Sequence, residues 1–536
     1  MNEMASRQPE PESTGAYAPP DGDRLAVARP GRNCWRVEPA RRVAFLVDGA
    51  DYFRVFAAAA ERARRSIRIL GWDLNTNVRL RRSGGDPDAG PGLARFLDDV
   101  AERNPDLRID ILSWDFAAIY AFERELFTTL RFRYRTGERV RLELDAEHPV
   151  GASHHQKVVV IDDAIAFVGG LDLTINRWDT REHRPDDRLR ADGGTPYSPF
   201  HDVQIAVDGA AARALGDLVR WRWQRATGEV LDPADGDGDP WPDELVPDVR
   251  DVHVAIARTQ PAMEGQAEIR EIERLFLDSI AAARRSIFIE NQYLTSAVVG
   301  DALAARLEES DGPDVVIVGP WTCSGWLEEA TMGVLRGRLV ARLRAADRHG
   351  RLRLFYPTVG GDRRIAVNVH SKVMIVDDVL VRVGSANLSN RSMGLDTECD
   401  VAIDADADAR ARDAIARFRS SLLGEHLGVP ADAVDAAVVR TGSLARAVDE
   451  LRAAGGDRTL VPFEEPAVPW LDGVVPDTTL IDPDRPLELT LLEKISPETS
   501  RRHESRSWTR ILTRLGRLGD RWARWTRSHP ETEANY

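Results

Sequence analysis

Two stretches of this 536-residue chain repeat one pattern: His155-Gln-Lys-Val-Val-Val-Ile-Asp162 and His370-Ser-Lys-Val-Met-Ile-Val-Asp377. The chain has only three lysines, and two of them, Lys157 and Lys372, occupy the same place in these frames. Arginine supplies nearly all the other positive charge, and a guanidinium differs from an ammonium group in shape and hydration. The retained lysines therefore indicate two matching sites of chemistry.

Each frame continues in the same way. Val-Gly-Gly-Leu-Asp172 follows the first frame and Val-Gly-Ser-Ala-Asn387 the second, and the last residue lies seventeen after the histidine in both. An apolar run beside a single histidine is typical of a buried strand with a polar end. Two copies in register favour a duplicated functional site instead.

A second repeat supports duplication of the whole unit. Ala63-Arg-Arg-Ser-Ile67 recurs as Ala283-Arg-Arg-Ser-Ile287, 220 residues later, while the two histidines are 215 residues apart. In each half, strand patterns alternate with helical patterns in the same order. Such alternation predicts a mixed sheet with helices on both faces.

The arrangement H-x-K-x(4)-D, followed by G-G-x-D in the first copy and G-S-x-N in the second, resembles the phospholipase D superfamily. The Gly-Gly-x-Asp form, and stretches such as Ile289-Glu-Asn-Gln-Tyr293, resemble its phospholipase branch in eukaryotes and some bacteria. The resemblance covers roughly residues 34–428. It implies an α/β fold of two similar α/β/α sandwich lobes related by a pseudo-twofold duplication, with the active site at the lobe interface.

Composition shifts divide the chain into six predicted segments. They are a disordered N-terminal segment (1–33), a first lobe (34–228), an acidic linker (229–251), a second lobe (252–428), a C-terminal appendage (429–500) and a basic amphipathic tail (501–536). In the tail, tryptophan and leucine recur at helical spacing opposite arginines, as in helices that lie in a membrane interface. Docking of this helix on the acidic body of the protein is the alternative.

The resemblance implies nucleophilic catalysis by histidine, with no metal or other cofactor. His155 is expected to attack phosphorus and His370 to act as general acid and base, although near-symmetry leaves the reverse order open. Lys157 and Lys372 would neutralise the phosphoryl oxygens, and the amide of Asn387 would donate a hydrogen bond to one of them.

Each catalytic histidine also needs a partner that fixes its tautomer. Glu398 matches the family position in the second half. Phe200 aligns with Glu398 in the first half, so Asp202 offers a carboxylate there, unless Asp202 is only the counterpart of Asp400. The motif aspartates Asp162 and Asp377 complete the catalytic set, although capping or pairing is their favoured role.

The remaining predicted site residues line the substrate. They are Gly169, Gly170, Asp172, Gly384 and Ser385. An anion beside phosphate would be repulsive, so Asp172 is expected to orient a lysine or the backbone more than to touch the substrate.

Charge and composition limit the possible partners. The formal charge of −15 disfavours broad binding to polyphosphate backbones, so no nucleic acid partner is expected. Three scattered cysteines form no C-x-x-C pair, and no secretory signal or bilayer-spanning run is present. We therefore expect a cytoplasmic protein that associates peripherally with an anionic membrane surface. Because both frames lie on one chain, a monomer suffices.

The predicted function is that of a phospholipase D, which hydrolyses glycerophospholipids to phosphatidic acid and a free headgroup through a phosphohistidine intermediate and also transfers the phosphatidyl group to alcohols. A cardiolipin-synthase-like phosphatidyltransferase is an alternative, although such enzymes commonly carry N-terminal membrane spans. A nuclease of the same superfamily is disfavoured by the net acidity. A non-enzymatic lipid-binding scaffold would not explain why both complete frames persist.

Overall fold

The computed structural model describes residues 27–82, 85–115, 132, 135–234, 238–263, 265–322, 332–405, 408–464 and 482–486. The helices in these ranges are α1 (Asp48–Ala60), α2 (Leu93–Arg103), α3 (Gly209–Thr227), α4 (Glu271–Ala282), α5 (Ala297–Glu308), α6 (Val334–Ala346), α7 (Asn390–Gly394), α8 (Ala409–Leu427), α9 (Ala431–Thr441) and α10 (Leu444–Ala453). None of them is long and apolar enough to cross a bilayer.

The strands fall into two sets. The first set is β1 (Arg36–Val47), β2 (Ser66–Gly71), β3 (Arg108–Trp114), β4 (Val140–Asp145), β5 (Val158–Ile161), β6 (Ile165–Gly169), β7 (Ala191–Asp192), β8 (Thr195–Pro196), β9 (Phe200–His201) and β10 (Val203–Asp208). The second set is β11 (Val249–Gln260), β12 (Ile269–Arg270), β13 (Ser286–Asn291), β14 (Asp314–Val318), β15 (Leu352–Val359), β16 (Ile365–Ala366), β17 (Asn368–Val369), β18 (Lys372–Val376), β19 (Leu380–Gly384), β20 (Glu398–Asp404) and β21 (Arg458–Pro462).

One mixed sheet runs through both halves. Its order is β4-β3-β2-β5-β6-β10-β1 in the first half and, continuing through the β1–β11 pair, β11-β20-β19-β18-β13-β14-β15-β21 in the second. Three neighbouring strands are parallel in each half (β2, β3, β4 and β13, β14, β15), and the remaining neighbours are antiparallel. Apart from β21, the order is the same read outward from β1 and from β11. The predicted α/β fold of two duplicated lobes is confirmed.

The apolar runs of the two motifs form strands that are buried on both faces. Val158 and Val160 point into a core shared by the two lobes, whereas Val159 and Ile161 point into the outer core of the first lobe. In the second lobe, β18 divides its side chains between the shared core and an outer core in the same way. Successive side chains of a strand alternate between faces, so continuous apolar runs indicate helices on both sides of a sheet.

Helices cover both faces of the sheet. The shared core packs α3 and α8 against the sheet of both lobes, α1 and α2 cover the outer face of the first lobe, and α4, α5 and α6 cover that of the second. The appendage contributes α9, α10 and β21, whose Leu444, Val448 and Leu460 join the shared core.

The expected N-terminal disorder is wrong for residues 27–33. Val27 and Ala28 are buried in the outer core of the second lobe, and the Val27 N–H donates to Asp404 at 2.6 Å. The Asn33 side chain donates to the Val27 carbonyl and to Asp278. The polar composition of this segment hid these few anchoring contacts. Residues 1–26 and the tail 501–536 lie outside the described ranges.

Candidate active site

The two motif histidines stand just before β5 and β18, and each is bonded to the opposite lobe. The backbone N–H of His155 donates to the carbonyl of Thr397 at 2.9 Å, and that of His370 donates to the carbonyl of His201 at 2.8 Å. Short parallel bridges, one between His154 and Thr397 and one between β17 and β9, accompany these bonds. The lobes therefore interlock at the histidines.

The ring nitrogens follow the same crossed arrangement. Nδ1 of His155 lies 3.0 Å from Oε2 of Glu398 in the second lobe, and Nδ1 of His370 lies 2.7 Å from Oδ2 of Asp202 in the first lobe. Both carboxylates are fully buried. Nε2 of neither histidine makes a hydrogen bond with any described residue. Each carboxylate therefore fixes Nδ1 as the protonated nitrogen of a neutral ring and leaves Nε2 free to react.

Strand register corrects the alignment of these carboxylates. Gly169 pairs with Gln204 in the first lobe, and its counterpart Gly384 pairs with Asp400 in the second. Gln204 is thus the counterpart of Asp400, and Asp202, two residues earlier, is the counterpart of Glu398. The prediction that Phe200 aligns with Glu398 is wrong, because the Asp-Val pairs at Asp202 and Asp400 look equivalent in sequence but are not in register.

Both lysines are buried beside the histidines, in different surroundings. Nζ of Lys157 lies 3.2 Å from Oδ2 of Asp172 and 5.9 Å from the centre of the Trp72 ring. Nζ of Lys372 forms no ion pair with a carboxylate of the described residues. It donates to Oε1 of Gln292 at 3.0 Å and to the His370 carbonyl. Burial lowers the pKa of Lys372 to about 7.

The electrostatics of the pocket favour neutral imidazoles. Burial, and then the charges of Lys157 and Lys372, hold the pKa of His155 well below its usual value. Burial, and then the charges of Lys372 and Arg177, do the same to the pKa of His370. Burial also raises the pKa of Glu398 to about 8 and that of Asp202 to about 6. The two motif lysines and Arg177 therefore supply positive charge that would attract an anion to the two histidines.

The residues that follow the glycines differ between the lobes. Asp172 uses both oxygens, one accepting from the Trp72 N–H at 2.9 Å and the other pairing with Lys157. This geometry agrees with the orienting role expected of Asp172, toward a lysine and the backbone, and its place in the substrate-binding set stays a prediction. Asn387, its counterpart, is 6% exposed, and its Oδ1 is buried with no hydrogen-bond partner among the described residues.

The other predicted substrate-binding positions are tightly packed against neighbouring side chains, and their contact with substrate stays a prediction. A Cβ on Gly169 would overlap Gln204, one on Gly170 would overlap the Asp202 carboxylate, and one on Gly384 would overlap the Asp400 carboxylate. Ser385 donates its hydroxyl to Glu398 at 2.5 Å. These positions hold small residues because neighbouring side chains approach the backbone there, and Ser385 additionally orients Glu398.

Asp162 and Asp377, which we included in the catalytic set, lie at the far ends of β5 and β18. Each accepts three backbone N–H groups at 2.7–2.9 Å, those of residues 64–66 and 284–286. These donors belong to the repeated Ala-Arg-Arg-Ser-Ile stretches. Five residue steps of extended strand separate each aspartate from its lysine by about 16 Å. Their catalytic assignment is wrong, and the capping role that was favoured explains why the two sequence repeats occur together.

Some site residues were not identified as such from the sequence. Trp72 and Gln292 contact the lysines, and Ser392 donates to Glu398 at 2.7 Å. Trp72 and Gln292 lie in stretches that resemble the family, at Gly71-Trp72-Asp73 and Ile289-Glu-Asn-Gln-Tyr293. That resemblance was the available signal for both, whereas nothing in the sequence singles out Ser392.

Comparison with known proteins now identifies the family. The family model described as Phospholipase D matches residues 59–237 and 342–453, which together are more than half of the chain and include both frames. The chain belongs to the phospholipase D family. Its expected membership of the superfamily is confirmed.

Individual relatives share between 24% and 31% identity with this chain, and the matched region is only part of each of them. Phospholipase D A of Dictyostelium discoideum is 27% identical over 72% of this chain and 36% of that protein. Phospholipase D zeta 1 of Arabidopsis thaliana is 31% identical over 42% of this chain and 22% of that protein, and phospholipase D alpha 2 of Oryza sativa subsp. japonica is 24% identical over 71% and 65%. The chain thus spans less than two thirds of each of these relatives. A solved structure, the phosphatidylserine synthase of Haemophilus influenzae Rd KW20, is 13% identical with a TM-score of 0.47 over 72% of this chain and 87% of that one.

Proposed function

We propose that the protein is a phospholipase D, which cleaves glycerophospholipids to phosphatidic acid and a free headgroup. One observation carries the proposal: two His–Lys frames from opposite lobes meet, and each histidine has Nδ1 bound to a buried carboxylate and Nε2 free. Family membership supports it. Two imidazoles and two ammonium groups provide a nucleophile, a proton donor and fixed positive charge, which displacement at a phosphodiester requires.

In the first step, Nε2 of His155 attacks phosphorus. A P–N bond forms and the P–O bond to the headgroup breaks. His370, which takes up a proton at Nε2 when the anionic phosphodiester binds, passes that proton to the departing oxygen. Lys157 and Lys372 stabilise the phosphoryl oxygens as the transition state forms. Glu398 stabilises the positive charge that develops on the His155 ring.

In the second step, water or an acceptor alcohol releases the phosphatidyl group. His370, now neutral, takes the proton of the incoming hydroxyl at Nε2, the new P–O bond forms, and the P–N bond to His155 breaks. Both residues return to their starting protonation states. An alcohol in place of water gives transfer by the same route, since the acceptor enters only at this step.

Two arrangements support this division of roles, although the frames are nearly symmetric. Glu398 accepts hydrogen bonds from Ser385 and Ser392 as well as from His155, so the His155 ring is held by a carboxylate that is itself fixed. Lys372 lies 3.2 Å from Nδ1 of His370. This adjacent positive charge favours proton release from His370, which suits a proton donor.

The decisive assay is incubation of the purified protein with mixed phospholipid vesicles and ethanol, followed by mass spectrometry of the lipids. We expect phosphatidic acid and phosphatidylethanol together, since both arise from one intermediate. A protein that binds vesicles but forms neither product would contradict the proposal. Cardiolipin formation from phosphatidylglycerol without phosphatidic acid would favour the transferase alternative.

We also propose that the enzyme is cytoplasmic and that the tail 501–536 attaches it peripherally to anionic bilayers. A helix over this segment would place Trp508, Leu512 and Trp522 on one face and the arginines on the other, by their spacing in the sequence. Each arginine near an anionic surface contributes about 1 kcal/mol to the free energy of membrane binding. Deletion of residues 501–536 should abolish sedimentation with anionic vesicles and leave cleavage of a short-chain soluble phospholipid unchanged. Equal sedimentation of both forms would contradict this role for the tail.

A further inference from the structure

A second cluster of ionisable side chains lies beneath the candidate active site. Asp48, His183, His201 and Glu425 are at most 5% exposed, and one ligand atom from each lies within 4.8 Å of all the others. Three of them come from the first lobe, and Glu425 comes from α8 of the second. Neither frame uses these residues in the proposed reaction. We propose that the cluster binds one divalent transition-metal ion of the zinc type.

The spacing of the atoms fits a small coordination sphere. Nδ1 of His201 lies 2.8 Å from Oε1 of Glu425 and 3.0 Å from Oδ1 of Asp48. Nε2 of His183 lies 3.1 Å from the same Glu425 oxygen. Tetrahedral ligands at bond lengths of about 2.0–2.1 Å are roughly 3.3 Å apart, so only small movements would be needed. Two imidazoles and two carboxylates form a donor set that suits zinc and its neighbours.

The outer nitrogen of each histidine is held by a further carboxylate. Nδ1 of His183 lies 3.0 Å from Oδ2 of Asp179, and Nε2 of His201 lies 2.9 Å from Oε2 of Glu290. Histidines that bind metals commonly donate their other N–H group to a carboxylate in this way, which fixes the tautomer. The nitrogens left without that proton, Nε2 of His183 and Nδ1 of His201, are the two that face the cluster.

Two of the atoms that face the cluster make no hydrogen bond with the described residues. Oδ2 of Asp48 and Nδ1 of His201 are buried and make no hydrogen bond with any described residue, although oxygens lie close to the His201 nitrogen. Buried polar atoms are normally paired. In addition, Asp48 and His183 adopt left-handed backbone conformations, with φ of 68° and 47°. Such strained residues persist where the surroundings require them.

The charges leave a place for a divalent cation. The four carboxylates in and around the cluster, Asp48, Asp179, Glu290 and Glu425, face two guanidinium groups: Arg181 lies 2.6 Å from Glu425, and Arg190 lies 3.2 Å from Asp179. With neutral imidazoles, two negative charges remain. A divalent ion would neutralise these two charges. Protonation of both His183 and His201 is the alternative way to neutralise them.

The site would support the active-site histidine through the backbone. The N–H of Asp202 donates to Oδ1 of Asp48 at 3.3 Å, and the carbonyl of His201 accepts the N–H of His370. A metal bound to Asp48 and His201 would therefore fix the segment that carries Asp202, the partner of His370. It would also join the two lobes through Glu425. Its role is positioning, and the proposed reaction passes no step through it.

The test is metal analysis of the purified full-length protein in chelator-free buffer, which needs no lipid substrate. Inductively coupled plasma mass spectrometry should find about one equivalent of zinc or a related metal per chain. After removal by a strong chelator, Zn²⁺ alone should restore the equivalent and raise the melting temperature, and Co²⁺ should give visible d–d absorption. A wild-type protein that contains no metal and binds neither ion would overturn the proposal.

Variants locate the metal. His183→Ala and Glu425→Gln should weaken Zn²⁺ binding at least about 100-fold, and Asp179→Asn about 10–100-fold. His349→Ala, which removes an exposed histidine on another surface, is the matched control and should keep the full equivalent. Retention of the metal by a folded His183→Ala variant would also contradict the proposal. If that variant fails to fold, the wild-type titration decides.

Discussion

The two lobes share a frame and differ in what surrounds it. In the first lobe, Lys157 is paired with Asp172, and in the second, Lys372 lies beside the neutral Gln292 with Asn387 in the place of Asp172. His155 is oriented by a glutamate held by two serine hydroxyls, whereas His370 is oriented by an aspartate linked to the buried cluster. The sheet order and the motif aspartates, in contrast, are the same. Duplication therefore supplies the scaffold, and divergence of neighbouring side chains gives the two histidines different surroundings, which support the different roles proposed for them.

The largest expected effect concerns the histidines. His155→Ala and His370→Ala should each lower kcat for phospholipid cleavage about 10⁴-fold. The variants should differ on a nitrophenyl phosphodiester, whose leaving group needs no proton. His370→Ala should then recover the first step, measured as nitrophenol release, and His155→Ala should not.

Recovery by His155→Ala instead would show that the two histidines have the reverse roles. His349→Ala, at an exposed position, serves as the control for loss of an imidazole and should leave kcat unchanged.

The next largest effect is expected for the two carboxylates that each contact the histidine of the opposite lobe, Glu398 and Asp202. Glu398→Gln and Asp202→Asn should each reduce kcat about 10²–10³-fold, because an amide no longer selects the reactive tautomer or stabilises the imidazolium. Ser392→Ala removes one of the hydrogen-bond donors to Glu398 and should lower kcat only about tenfold. Full activity of Asp202→Asn, with an unchanged melting temperature, would mean that the orienting contacts do not matter.

The motif aspartates test whether the frame itself is equivalent in the two lobes. Asp162→Ala and Asp377→Ala should each lower the free energy of unfolding by about 3 kcal/mol, because three backbone N–H groups lose a charged acceptor. The folded fraction should keep its kcat. Denaturant titration with parallel activity assays measures both. A loss of kcat without loss of stability would restore the catalytic assignment that the geometry contradicts.

The last prediction concerns how kcat/KM depends on pH. It tests Lys372 of the second lobe, the motif lysine whose pKa is lowered. With a pKa of about 7, Lys372 is charged below that pH and loses its charge above it. kcat/KM should therefore fall about tenfold per pH unit above neutrality, as the attraction for phosphate is lost. Lys372→Arg should move this decline to higher pH, although at lower overall activity. A decline at the same pH in that variant would exclude Lys372 as its source.

Much of the fold could be predicted from the sequence, because strands buried on both faces leave continuous apolar runs such as Val158–Ile161. The identity of the two histidines and lysines followed from repetition of a rare residue type. Contacts across the lobe interface could not be predicted in this way. Asp202 and Glu398 follow the motif histidine of their own lobe at different sequence separations. The segment between β6 and β10 is longer than its counterpart between β19 and β20.

The glycines show a second limit of sequence patterns. Gly170 and Gly384 stand beside the frames and resemble ligand-binding positions, yet the nearby carboxylates of Asp202 and Asp400 already require their small size. Burial of Val27 and the clustering of Asp48 with Glu425 likewise depend on tertiary packing. No local period or motif records such long-range contacts.

The most direct test of the division of roles between the lobes is a covalent one. The His370→Ala variant lacks the base for the second step, so it should accumulate the intermediate when mixed with the nitrophenyl phosphodiester. We predict a burst of about one nitrophenol per active site and, after an alkaline quench and peptide mass spectrometry, a phosphorus adduct on His155. An adduct on another residue, or steady turnover with no adduct at all, would contradict the account.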